Sequence, residues 1–177
     1  FFIFLYRFAE GLAMKIAPLF LKDSIEVGGL GLSNEQYGLV YGTAGTAAFI
    51  IGSIVAGYFV SVVGLRKALF TLACAFNIPF VVYLLFAYFQ PTSLIVIGCG
   101  IVGEYFGYGF GFVGLTLFMM QQIAPGKYQM AHYAFANSLM NLGVMIPGML
   151  SGYLSKVLGY ELFFFIVMLC TLPALAI

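Results

Sequence analysis

Six apolar runs, each about as long as a bilayer's hydrocarbon core is thick, follow one another with only short polar breaks between them. A helix needs roughly 20 apolar residues to cross that core. Divided by proline, glycine and charge, the chain gives segments at about residues 1–21, 33–61, 66–89, 94–123, 128–155 and 160–177. Only seven basic and six acidic side chains occur among 177 residues, far below the roughly 25% charge of a soluble domain. Such a chain cannot cover itself with a wet surface, so most of its outside must face lipid or other apolar helices. A net charge of +1 excludes a nucleic-acid reader working by phosphate neutralisation. Cys74, Cys99 and Cys170 lie inside apolar runs without metal or pairing spacing and read as small hydrophobes.

The fold class expected is all-α and polytopic, with up-and-down neighbours joined by short turns. Irregular backbone is confined to the breaks, because lipid cannot satisfy amide groups. Ser33 and Gln36 have the spacing of a capping box opening the second run. Val62-Val63-Gly64-Leu65 reads as a tight turn, and Pro18, Pro79 and Pro147 are expected to kink their helices. Arg66, Lys67 and Lys127 against Lys22 and Lys156 favour the second–third and fourth–fifth loops as cytoplasmic. The chain opens Phe-Phe-Ile without Met and stops inside an apolar run, so it is expected to be a piece of a longer protein.

An internal echo adds to this. Gly57-Tyr58 followed by Gly64 recurs as Gly152-Tyr153 followed by Gly159, shifted by 95 residues, and Glu10 and Glu104 lie 94 apart. The shift equals three helices, an odd number, so the two copies face opposite sides of the membrane. Two inverted three-helix repeats are the expected internal order, an arrangement found in secondary transporters.

Four charges interrupt the apolar runs: Arg7, Glu10 and Lys15 in the first, Glu104 in the fourth. Each costs roughly 2.5–3.5 kcal/mol at a membrane helix's centre, so their presence needs a reason. Arg7 and Glu10, three apart, share a helix face and read as an ion pair that either orders the bundle or faces a cavity. Glu104 has no local base. It must find a partner on another helix, sit in water, or carry a proton, which makes it the candidate proton carrier. Lys15 either binds an anionic group or snorkels to the interface. Around Glu104, Gly109, Gly111 and Gly114 form a G-x-G-x-x-G inside an apolar helix, where a dinucleotide site is excluded and close helix approach is expected. Tyr105 and Tyr108 offer rings for a sugar face or for packing. Gly38 with Gly42, and Ala48 with Gly52, carry the same small-residue spacing. Tyr133, Asn137 and Asn141 make a polar stripe that is either interhelical glue or cavity lining. His132 reads as interfacial. No metal-ligand or nucleophile constellation is visible, so neither a cofactor nor an enzyme is expected.

These residues together resemble the C-terminal half, helices seven to twelve, of a major facilitator superfamily transporter, most similar to the AmpG-type anhydromuropeptide permeases. Tyr6-Arg7-Phe8-Ala9-Glu10 is similar to that family's helix-seven tyrosine, base and acid. Gly57, Gly64, Arg66 and Lys67 resemble its helix eight–nine loop signature, with Ser61 and Val62 where an acid and a base belong. Glu104 resembles the helix-ten acid, and residues 127–159 resemble helix eleven; Lys15 departs from the pattern. The resemblance implies residues 1–177 are one transmembrane half-domain in a bacterial inner membrane. The partners it implies are the bilayer, protons, a small-molecule substrate and a six-helix N-terminal half. The activity it implies is proton-coupled uptake of a peptidoglycan-derived amino sugar or muropeptide, with another sugar or organic anion as the alternative.

Overall fold

In a computed structural model describing residues 2–175, every regular element is helical and no strand occurs among the described residues. Phe1, Ala176 and Ile177, at the outer limits of the first and sixth runs, lie outside them. The elements are α1 (Phe2–Tyr6), α2 (Phe8–Lys22), α3 (Asn34–Val63), α4 (Leu65–Phe89), α5 (Leu94–Ile123) and α6 (Gln129–Leu175). Among the described residues, α3 to α6 are each long and apolar enough to cross a membrane.

The breaks follow local chemistry. Ser33 caps α3 as expected: its hydroxyl accepts from the Gln36 amide and the Gln36 side chain accepts from the Ser33 amide. The turn after α3 is tighter than the sequence suggests. The helix runs on to Val63, and Gly64 alone reverses the chain at φ 84°, a conformation that favours glycine. Pro79 cannot donate a helical hydrogen bond, and α4 tightens to a 3₁₀ turn at Ile78–Phe80. Pro18 and Pro147 sit inside α2 and α6, which stay helical through them. The first run is not one continuous helix: Arg7 separates α1 from α2 at φ −104°, ψ 6°, in the sparsely allowed bridge region where many active-site residues sit.

The helix α6 is not straight. Gly159 (φ 74°, ψ 168°) is non-helical, and Leu175 packs into the same apolar cluster as Ala136 and Met140. A straight helix would hold Leu175 about 60 Å from Ala136, so the chain doubles back at Gly159. The connections sort to two ends of the bundle. At one end Gly28 lies beside Tyr160 and Gln90, and Tyr160 donates to Asp23. At the other, Arg66, Phe118 and Leu175 line one groove.

Close approach is concentrated in three seams. Along α3 and α5, a Cβ at Gly52 would strike the Phe106 carbonyl and one at Gly109 the Phe49 carbonyl. Along α2 and α6, one at Gly11 would meet Val144 and Pro147. Gly107, Gly111 and Gly114 likewise press on α4, at Ala75, Phe76 and Leu72. Gly38 and Gly42 make no such approach among the described residues: neither has a neighbour within 4 Å of a would-be Cβ. That stretch, Gly38–Ala44, is a wider π-helical segment, with the Gly45 amide bonded to the Val40 carbonyl. Its glycines face outward while Val40 faces in.

Candidate functional site

The break at Arg7 points a cation into the bundle. Its guanidinium makes a two-pronged pair with Glu10, Nε to Oε2 and Nη2 to Oε1, and lies 5.4 Å from the centre of the Phe112 ring. Arg7 is 7% exposed and Glu10 0%. The Tyr108 hydroxyl adds a third donor to Glu10, 3.0 Å from Oε1. Tyr6 donates to the Gly111 carbonyl at 3.0 Å, tying α1 to α5 beside the pair.

Glu104 is handled differently. It is 6% exposed, and the Tyr83 hydroxyl donates to its Oε2 at 3.2 Å. Among the described residues Arg7–Glu10 is the one ion pair, so no cation answers the Glu104 carboxyl. Tyr83 is fixed by stacking on Phe164, centroids 5.5 Å apart.

Glu10 and Glu104 line one narrow cavity with Tyr41, Tyr83, Tyr105 and Tyr108, walled by Ala13, Met14, Ala17 and Phe80. The space open to a water's centre is about 20 Å³, above the roughly 10–15 Å³ that one water requires. On the other side of the pair, Arg7 joins Lys15, Asn141, Val144, Met145, Gly148 and Met149 in an open groove of about 480 Å³. The Lys15 stem runs over Gly148. The Arg7–Glu10 pair is therefore the wall between cavity and groove.

The structure thus divides the residues singled out in the sequence. Glu10, Glu104, Tyr105 and Tyr108 meet at the cavity; Arg7, Lys15 and Asn141 meet at the groove. Tyr133 packs instead with the cluster of Ile3, Tyr6 and Met140. Asn137 is half-buried and Asn141 exposed, and among the described residues neither amide has a hydrogen-bond partner. Gly57 has open space where a side chain would stand, Lys67 is exposed, and Arg66 lines a separate groove with Phe118 and Gln122, at the Gly64 end of the bundle. His132 is exposed in the first turn of α6. Two site residues escaped the sequence reading. Tyr41 sits in the π-helical segment, edge-on to Tyr105 with centroids 5.0 Å apart. Tyr83 had a signal: a tyrosine hydroxyl deep inside an apolar helix needs a partner.

No family model matches the chain. Three curated proteins are similar to it along 98% of its length. One, from Haemophilus influenzae, has a description that names no function and is 24% identical. Two are described as "Putative transporter AmpG 2", from Rickettsia typhi at 22% identity and Rickettsia prowazekii at 25%. The chain spans 40–41% of the length of these relatives. It is an all-helical, multi-pass membrane protein whose distant relatives include proteins named as transporters.

Proposed function

We propose that this chain is the C-terminal six-helix half of a major facilitator-type secondary transporter. In this reading it takes up a peptidoglycan-derived amino sugar or muropeptide with protons across a bacterial inner membrane. The observation that carries the reading is the pair of buried carboxyls in an apolar bundle, one neutralised by Arg7 and one held only by a tyrosine. A purely structural ion pair would not need the second, uncompensated acid, since a charge there is expensive. A carboxyl that gains and loses a proton during a transport cycle does need such a place.

Six spans result when Phe2–Lys22 is taken as one and α6 is divided at Gly159. The inverted repeat is supported by more than the sequence echo. Shifted by 95 residues, the contact of Gly52 with Phe106 becomes that of Pro147 with Gly11, and both contacts occur. Gly64 and Gly159, equivalent under the same shift, both reverse the chain at positive φ. The loops after α3 and α5 are assigned to the cytoplasm on their basic residues. The missing half supplies the rest of the substrate site, which explains unpartnered Asn137 and Asn141 on a face that lipid would not tolerate. The names of two relatives support a transporter; the muropeptide choice follows the family resemblance of the sequence. A second reading, transport of another organic anion, draws on the groove, where Arg7 and Lys15 lie together. The names of two relatives favour a transporter over an enzyme.

The test is uptake by the full-length protein in proteoliposomes with a labelled muropeptide. Glu104→Gln mimics the protonated acid, so substrate exchange survives while accumulation driven by a pH gradient is lost. Accumulation by Glu104→Gln against a gradient would remove Glu104 as the carrier.

A further inference from the structure

We propose that the Gly64 end of the bundle carries a binding site for an anionic phospholipid, with the phosphate at Arg66 and one acyl chain lying between α4 and the end of α6. The site is separate from the cavity and from the groove at Arg7, and it requires only that the chain sit in a bilayer.

The shape is that of a head and a tail. Two hollows open side by side at this end and share Arg66, Leu69 and Phe118. The smaller, about 170 Å³, adds Leu65 and Gln122 and forms a polar mouth. The larger, about 350 Å³, adds Phe70, Ala73, Ala174 and Leu175, and Arg66 is its one polar side chain. Along α4, Arg66 to Ala73 spans about 10 Å at 1.5 Å per residue. One leaflet's share of the hydrocarbon core is about 15 Å. A small soluble anion would fill the mouth and leave the apolar slot empty; a lipid fills both.

The charge asks for an anion. Arg66 and Lys67 stand in the first turn of α4, where backbone amides are unpaired and the helix dipole is positive. No acid occurs in that turn, and no side chain caps it, in contrast to the Ser33 cap of α3. Among the described residues neither base forms an ion pair. Two cations at the positive end of a helix oppose it and each other, and a phosphate would offset all three. The planar guanidinium of Arg66 suits two phosphate oxygens at once.

The surroundings say where that phosphate comes from. α4 and the part of α6 after Gly159 carry the exposed side chains Phe70, Ile78, Leu85, Phe165, Leu169 and Leu172. The slot opens in this apolar face, so the bilayer is the medium that reaches it. In the proposed orientation the mouth lies in the cytoplasmic leaflet, whose anionic lipids are drawn to basic clusters at helix ends.

The experiment uses the full-length protein in nanodiscs of phosphatidylcholine. A trace of phosphatidylglycerol carrying a photoactivatable group on its acyl chain is added, and labelled peptides are mapped. Labelling is expected on the α4 peptide containing Leu69 to Ala73 and on the α6 peptide containing Ala174 and Leu175. It should fall at least about fivefold in the double variant Arg66→Gln with Lys67→Gln. Both residues are exposed, so the fold should survive, which a melting curve checks. Lys156→Gln, an exposed lysine near Gly159 at the opposite end, should label as the wild type does. A phosphatidylcholine probe with the same chain should label these peptides no more than phosphatidylglycerol labels the double variant. Equal labelling by the two lipids, or no loss in the double variant, overturns the anionic site. Displacement by inorganic phosphate at matched ionic strength would make it a soluble-anion site and overturns the lipid. No labelling of these peptides by either probe would mean that protein covers the slot, and overturns it too. None of these results touches the transporter reading, which the Glu104→Gln uptake assay decides.

Discussion

The two sides of the Arg7–Glu10 pair differ in nearly every respect that matters to a charge. On the Glu10 side the space is the size of a water and its walls are tyrosines, whose hydroxyls aim polar ends at two carboxyls. On the Arg7 side it is more than a drug-sized ligand's minimum, about 480 Å³, and carries a second cation, Lys15, and an unpartnered amide, Asn141. One side has room for a water; the other is wide enough for a molecule. The pair belongs to both, so the comparison predicts that disturbing it harms both.

The largest effect is expected at Glu10. Removing one partner of a buried ion pair leaves the other uncompensated, at a cost of about 3–5 kcal/mol. Glu10→Gln is therefore expected to lower the thermal stability of the full-length protein in detergent and to depress both exchange and accumulation. The double variant Arg7→Gln with Glu10→Gln should recover stability without recovering transport. Transport that stays normal in Glu10→Gln would break the idea that cavity and groove share a wall.

A smaller effect is expected where α3 meets α5, the seam that holds the cavity's tyrosines in place. Gly52→Ala drives a Cβ into the Phe106 carbonyl, and overpacking of this kind costs about 1–3 kcal/mol. Gly38→Ala, in a helical position with open space around it, should leave the melting temperature unchanged or raise it slightly. Equal shifts for the two would mean the seam does not press as closely as the structure has it.

These glycines also mark how far the fold was legible. Spacing alone treats Gly38-x-x-x-Gly42 and Ala48-x-x-x-Gly52 alike, and only the second is an interface. The difference lies in the π-helical turn, which rotates Gly38 and Gly42 outward and carries Tyr41 inward; no residue pattern announces it. Helix ends set by glycine or by the Ser33 cap were readable because their chemistry is local. The break at Arg7 was not, since it answers to Glu10 and Tyr108, and Tyr108 comes from about a hundred residues away. For the site, the sequence could name charges that have no business in lipid, and Glu10, Glu104, Arg7 and Lys15 each line a cavity or a groove. It could not divide them between a cavity and a groove, nor pair Tyr83 with Glu104, because that division is made by helices meeting across the bundle.

The smallest effect is expected at Lys15, and it tests the groove alone. Lys15 is exposed, its stem lying over Gly148, so replacing it leaves no buried group unpaired and the fold should be untouched. Pairs between exposed charges contribute little and are screened by salt, so Lys15→Leu should weaken uptake of a carboxylate-bearing substrate only about two- to fivefold. Uptake of a neutral analogue should not change, and the difference should shrink as ionic strength rises. The Glu104-dependent response to a pH gradient should also survive, since Lys15 does not reach the cavity. If Lys15→Leu affects neutral and anionic substrates equally, the lysine serves the membrane interface instead, and the groove's charge is Arg7's alone.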